Sequence, residues 1–106
     1  MVDKDAISKA VKEQLQLLYG DRLAKVILYG SYARGDFNEE SDIDFLVVLK
    51  DEEVNVGQEL FSMSKFFAPM LLDYNLYISR HPTSLKHFET SDFLFYKNVR
   101  REGVEI

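Results

Sequence analysis

Apolar positions Ile7, Ala10, Val11, Leu15 and Leu18 recur at helical spacing, while Lys4, Lys12, Glu13 and Gln16 fall on the other side. This predicts an amphipathic helix over 3–18, terminated near Gly20. Residues 23–29, Leu-Ala-Lys-Val-Ile-Leu-Tyr, are rich in β-branched and aromatic side chains and stop at Gly30, the pattern of a short buried strand. Residues 30–41 mix two glycines with polar groups and predict a loop holding at most one helical turn. The run 43–49 is apolar on both faces beyond its first residues, as a central strand of a covered sheet must be.

After a polar turn at 50–53, Leu60, Met63, Phe67 and Leu71 sit at helical spacing, predicting a helix over 56–68 that Pro69 ends or kinks. Residues 75–79 read as a third strand, broken at His81-Pro82. A short helix follows at 84–88, and Ser91 is the expected N-cap of a helix reaching 102, closed by Gly103. The order predicts a small mixed β-sheet flanked by helices, an α/β or α+β fold, and residues 1–106 suffice for a single domain.

Composition narrows the function classes. With 46% hydrophobic and 29% charged residues the chain is neither collagen-like nor wholly disordered. It has no cysteine, which excludes disulfides, zinc-thiolate sites and thiol catalysis. The longest apolar stretches, 45–49 and 66–72, fall far short of the roughly 20 residues that span a bilayer, and the N-terminus lacks a signal-peptide pattern, so the expected location is the cytoplasm. Thirteen basic residues against eighteen acidic ones give a net charge of −5, which argues against a nucleic-acid partner bound by blanket charge neutralisation. Phosphates remain accessible to an acidic chain when divalent cations bridge the two.

One stretch carries that chemistry: Gly30-Ser31-Tyr32-Ala33-Arg34-Gly35, five intervening residues, then Ser41-Asp42-Ile43-Asp44. Gly30 at a strand end lets a phosphate approach the backbone, and Ser31 adds a hydroxyl beside the amides of a short turn. Arg34 offers a planar fork suited to the same anion. Asp42 and Asp44, two apart at the head of a strand, project from one face of the sheet. At ~5 Å and an effective dielectric of ~20 their repulsion is about 3 kcal/mol, which a divalent cation would relieve. Carboxylates plus phosphate oxygens are the ligand set that magnesium prefers.

This pattern resembles the signature of the minimal nucleotidyltransferases, small relatives of the DNA polymerase β palm, kanamycin nucleotidyltransferase and the CCA-adding enzymes. The flanking helices and the ending Tyr96-Lys97-Asn98-Val99-Arg100-Arg101-Glu102-Gly103 resemble short bacterial members. The resemblance implies a polymerase β-like palm fold. It makes Gly30, Ser31, Arg34 and Ser41 the nucleotide-binding residues, and Asp42 and Asp44 the holders of two Mg²⁺ ions. ATP or another nucleoside triphosphate would donate a nucleotidyl group to an acceptor hydroxyl with loss of pyrophosphate.

Family members carry a third carboxylate in the next strand, where this chain reads Asp73-Tyr74-Asn75-Leu76-Tyr77-Ile78-Ser79 with no interior acid. Strand parity leaves two alternatives: Asp73 serving from the strand's edge, or Asn75 as a neutral substitute. Two function readings follow. The first is a Mg-dependent enzyme that modifies a protein or small-molecule hydroxyl. The second is a catalytically weak antitoxin or binding module, suggested by the missing acid and by the aromatic load of Phe66, Phe67, Phe88, Phe93, Phe95 and Tyr96. The resemblance implies a helical HEPN-type partner for it, and a homodimer stays open as well. His81 and His87 show no metal-ligand pattern and read as surface or capping residues. Lys97, Arg100 and Arg101 read either as complements of a helix C-terminus or as acceptor contacts.

Overall fold

A computed structural model describes residues 4–37, 42–74 and 78–106. Helix α1 (Lys4–Tyr19) leads through a 3-10 turn (Gly20–Arg22) into β1 (Leu23–Tyr29), and the one-turn helix α2 (Ser31–Arg34) follows directly. Next come β2 (Ile43–Leu49), α3 (Val56–Tyr74), β3 (Ile78–Ser84), α4 (Leu85–Thr90), α5 (Leu94–Glu102) and β4 (Val104–Glu105). The strands form one mixed sheet in the order β3-β2-β1-β4, with β2 parallel to β3 and antiparallel to β1. The α+β class and the covered central strands expected from the sequence are what the structure has.

Strand alternation divides the core in two. Val26 and Leu28 of β1, with Ile43, Phe45, Val47 and Leu49 of β2, pack against Ile7, Val11 and Leu15 of α1 and Met63 and Phe67 of α3. Their neighbours Ile27, Leu46 and Val48 point to the other face, under Phe88 of α4 and Tyr96 and Val99 of α5. Burial on both sides is why β2 reads as an unbroken apolar run. It also sets the functional geometry, because Asp44 shares the α4/α5 face with Leu46 and Val48.

A polar cluster joins α1, the 3-10 turn, the turn after β2 and α3. Arg22 Nη2 donates to Asp51 Oδ2 and to Glu59 Oε2, both at 2.9 Å, and Tyr19 Oη donates to Glu59 Oε1 at 3.2 Å. Burial, followed by the charge of Glu59, raises the Tyr19 phenol far above its ordinary value, so it stays a donor.

Three expectations are corrected. Helix α3 runs through Pro69 to Tyr74 instead of ending near residue 68. Proline removes one helical hydrogen bond at a cost of about 3 kcal/mol, which the packing of Met63 and Phe67 in the core offsets. Strand β3 passes through His81-Pro82, pairing Val47 with Pro82, while residues 75–77 of the expected third strand lie outside the described residues. Proline is admissible there because β3 is the last strand in the sheet order, with β2 on one side. Helix α5 starts at Leu94 behind Phe93, while the Ser91 hydroxyl accepts from Phe93 N at 3.2 Å in the preceding turn. The short strand β4, pairing Ile27 with Glu105, had no periodicity to announce it.

Candidate active site

The turn after β1 is built around Gly30, whose φ of 76° and ψ of −155° belong to a region that glycine alone occupies readily. A side chain there would also collide with Oδ2 of Asp44. The turn and the carboxylate are thus close neighbours. Helix α2 is anchored from below by Tyr32, fully buried and stacked on Phe37 with ring centroids 4.1 Å apart. Ala33 and Arg34 donate their N–H groups to Gly30 O, both at 3.1 Å, whereas the first amides of such a turn have no acceptor within it. Gly35, at φ 85°, closes it in the left-handed conformation.

Asp42 precedes β2 and is exposed; Asp44 is half-buried. In the sheet Asp44 is flanked by Tyr29 of β1 and Ser79 of β3. Burial first, then the charge of Asp42, pushes the Asp44 carboxyl above the usual carboxylate range, while hydrogen bonding with Ser79 and the charge of Arg34 pull it down. Burial and the Asp44 charge push the Tyr29 phenol up to about 12, so it remains an O–H near neutral pH. Arg34 is exposed, its Nε donating to Asp36 Oδ2 at 3.1 Å and its Nη1 3.7 Å from Glu102 Oε2 at the end of α5.

The structure therefore brings together Gly30, Ser31, Arg34, Asp42 and Asp44 of the predicted set. Ser41 lies outside the described residues, as does Asn75. Asp73 falls in the last turn of α3, not at a strand edge, so the parity argument made for it does not apply. Tyr29 and Ser79 were not singled out, although strand alternation places both beside Asp44. Among the described residues no group of three or more histidine, aspartate or glutamate side chains is arranged to hold a metal. The pair Asp42 and Asp44 fits a divalent cation that takes its other ligands from phosphate, since the charge of Asp42 raises the cost of charging the half-buried Asp44.

The profile of the nucleotidyltransferase domain family matches residues 5–97. The chain belongs to this family. "Putative protein adenylyltransferase MJ0141" of Methanocaldococcus jannaschii is 37% identical over 100 residues, covering 94% of this chain and 95% of that protein. Among solved structures, a nucleotidyltransferase-fold protein of Sulfolobus solfataricus superposes with a TM-score of 0.62 at 24% identity, over 98% of this chain and 87% of the other. A toxin–antitoxin structure with AMP-PNP gives a TM-score of 0.58 at 16% identity, over 98% and 72%. At those identities the two structural likenesses speak to the nucleotidyltransferase fold.

Elsewhere the structure corrects the reading of His81, decides that of Arg100 and sorts the aromatic side chains. His81 is half-buried, its Nε2 3.3 Å from Tyr96 Oη, and burial lowers its basicity. Arg100 is structural: it donates to Phe88 O at 2.6 Å and to Ser91 O at 2.9 Å, tying α5 to the end of α4. Of the aromatic load, Phe67, Phe88 and Tyr96 are buried, whereas Phe93 and Phe95 are 69% and 38% exposed.

Proposed function

We propose that residues 1–106 act as one nucleotidyltransferase domain that transfers a nucleotidyl group, AMP from ATP, to a protein or small-molecule hydroxyl in the cytoplasm. The observation that carries this reading is the contact between Gly30 and the Asp44 carboxylate. It supports the reading because a turn suited to an anion and a carboxylate suited to a cation then border one space, the requirement of a metal–triphosphate substrate.

The roles follow from position. The backbone at Gly30 and Ser31, with the Ser31 hydroxyl, would receive the outer phosphates, and Arg34 would leave Asp36 and Glu102 to pair with them. Asp42 and Asp44 would hold magnesium, which supplies charge neutralisation at the triphosphate. The acceptor oxygen bonds to the α-phosphorus, the bond from that phosphorus to the bridging oxygen breaks, pyrophosphate departs, and the acceptor proton passes to solvent or a nearby carboxylate. The adenylyl donor and protein acceptor are supported by the name of the M. jannaschii relative. The test is label transfer: acceptors should take label from α-³²P-ATP and none from γ-³²P-ATP, and Asp42→Asn should lose it. Label transfer from the γ position, or unchanged transfer by Asp42→Asn, overturns the assignment.

A second reading has its own observation. The described strand β3, Ile78–Ser84, holds no acid, and Ser79 stands beside Asp44. A nucleotide-binding module with weak turnover would fit, acting as an antitoxin on a helical HEPN-type protein; a relative in fold is part of a toxin–antitoxin structure. Neutralisation that survives loss of both Asp42 and Asp44 would favour this reading.

A further inference from the structure

The half-buried Asp44 lies so near Gly30 that no side chain would fit between them, and it feels the like charge of Asp42. With nothing to hold it, such a group would turn toward solvent. The sheet supplies two hydroxyls in series: that of Ser79 is hydrogen-bonded to Asp44, and that of Tyr29 is hydrogen-bonded to Ser79. Ser79 is the register partner of Asp44 on the parallel strand and Tyr29 its partner on the antiparallel strand, so all three side chains leave the same face, with strands about 4.8 Å apart. The Tyr29 ring is itself fixed, edge to face on Phe95 with centroids 5.4 Å apart at 90°. Phe95 in turn meets His81 at 5.4 Å and Tyr96 at 5.0 Å, and Tyr96 Oη donates to Thr83 Oγ1 at 3.2 Å.

We infer that Ser79 and Tyr29 are positioning residues that hold the Asp44 carboxylate over Gly30 in the orientation from which it takes a divalent cation. The inference rests on the metal–nucleotide reading above and adds the supporting side chains to it. A carboxylate presents about four lone-pair positions; donors on some of them leave the remainder aimed at the metal. Outer donors of this kind typically govern metal affinity by about 10–100-fold. The beneficiary is orientation, because neither hydroxyl adds charge.

The test uses the intact chain, Mn²⁺ alone as the probe read by electron paramagnetic resonance, and crystal structures of the metal-free variants. Ser79→Ala should weaken Mn²⁺ binding about tenfold and let the Asp44 side chain turn from Gly30. Ser79→Thr, which keeps the hydroxyl, should restore both. Tyr29→Phe keeps the ring against Phe95 and should show a smaller loss, which makes it the second probe if Ser79→Ala folds poorly. Unchanged Mn²⁺ affinity with Asp44 still seated over Gly30 in Ser79→Ala and Tyr29→Phe overturns the inference. If the wild-type chain takes up no Mn²⁺, the metal reading fails instead, and the place of Asp44 in the variant crystals decides the positioning role by itself.

Discussion

The Cα of Gly30 faces the Asp44 carboxylate so closely that no side chain fits between them. A Cβ at position 30 would keep this turn and the strand that presents Asp44 apart. Here glycine lets them share one space, and the substrate and its cation are expected to fill that space together. The predictions below follow from this relationship and from the contacts that hold it.

Gly30→Ala meets both a steric and a conformational obstacle, since φ of 76° with ψ of −155° is strained for any residue with a side chain. The expected cost is about 2 kcal/mol, or roughly 10 °C of melting temperature for a domain of this size. Affinity for AMP-PNP with Mg²⁺, followed by calorimetry, should fall more than tenfold, beyond what the remaining folded fraction explains.

Asp44→Asn should separate stability from function. The Asp44 carboxyl is raised by burial and by Asp42, so the folded state holds its proton more tightly than the unfolded state does. Its contribution to stability is therefore lost as pH rises from the unfolded carboxylate value through the raised folded one, and the loss is complete above it. In the absence of metal, denaturant titrations across this acidic window should show a steeper fall for wild type than for Asp44→Asn. Mg²⁺-dependent nucleotide binding should disappear in the same variant.

Glu102→Gln should strengthen nucleotide binding. Glu102 Oε2 lies 3.7 Å from Arg34 Nη1, a competitor for the guanidinium that the triphosphate is expected to engage. The pair is solvent-exposed, so its removal should leave the melting temperature within about 2 °C. Affinity for AMP-PNP at low salt should rise roughly two- to fivefold, and Arg34→Ala should lower it by more than that. Equal affinities in Glu102→Gln and wild type would mean that Arg34 does not meet the phosphates.

Arg22→Ala tests the polar cluster on the far side of the sheet. It leaves the buried Glu59 with the Tyr19 hydroxyl as its remaining partner in the cluster and frees Asp51, whose carboxyl Arg22 holds below the usual range. Because Arg22 is itself half-exposed, the expected loss is about 1–2 kcal/mol, seen as a lower midpoint in urea with an unchanged slope. The Asp51 share of that stability is present above the unfolded carboxylate value and lost as pH falls through the lowered folded one, so wild type and variant should converge in acid.

Local physics made much of this protein legible in its sequence. Helix α1, strands β1 and β2 and the α2 turn follow from periodicity and from Gly30 and Gly35, because a repeating apolar face or a glycine is a property of neighbouring residues. The charge pair Asp42 and Asp44 and the turn Gly30-Ser31 were legible for the same reason. What tertiary structure decided lies where distant residues compete with local preference. Core packing carried α3 through Pro69, which took Asp73 into a helix, and sheet pairing carried β3 past His81-Pro82 to Ser84. The position of Pro82 on the last strand made its missing N–H harmless. Above all, the register that sets Tyr29 and Ser79 on either side of Asp44 is fixed by strand pairing, in which a shift of one residue would turn each side chain to the opposite face.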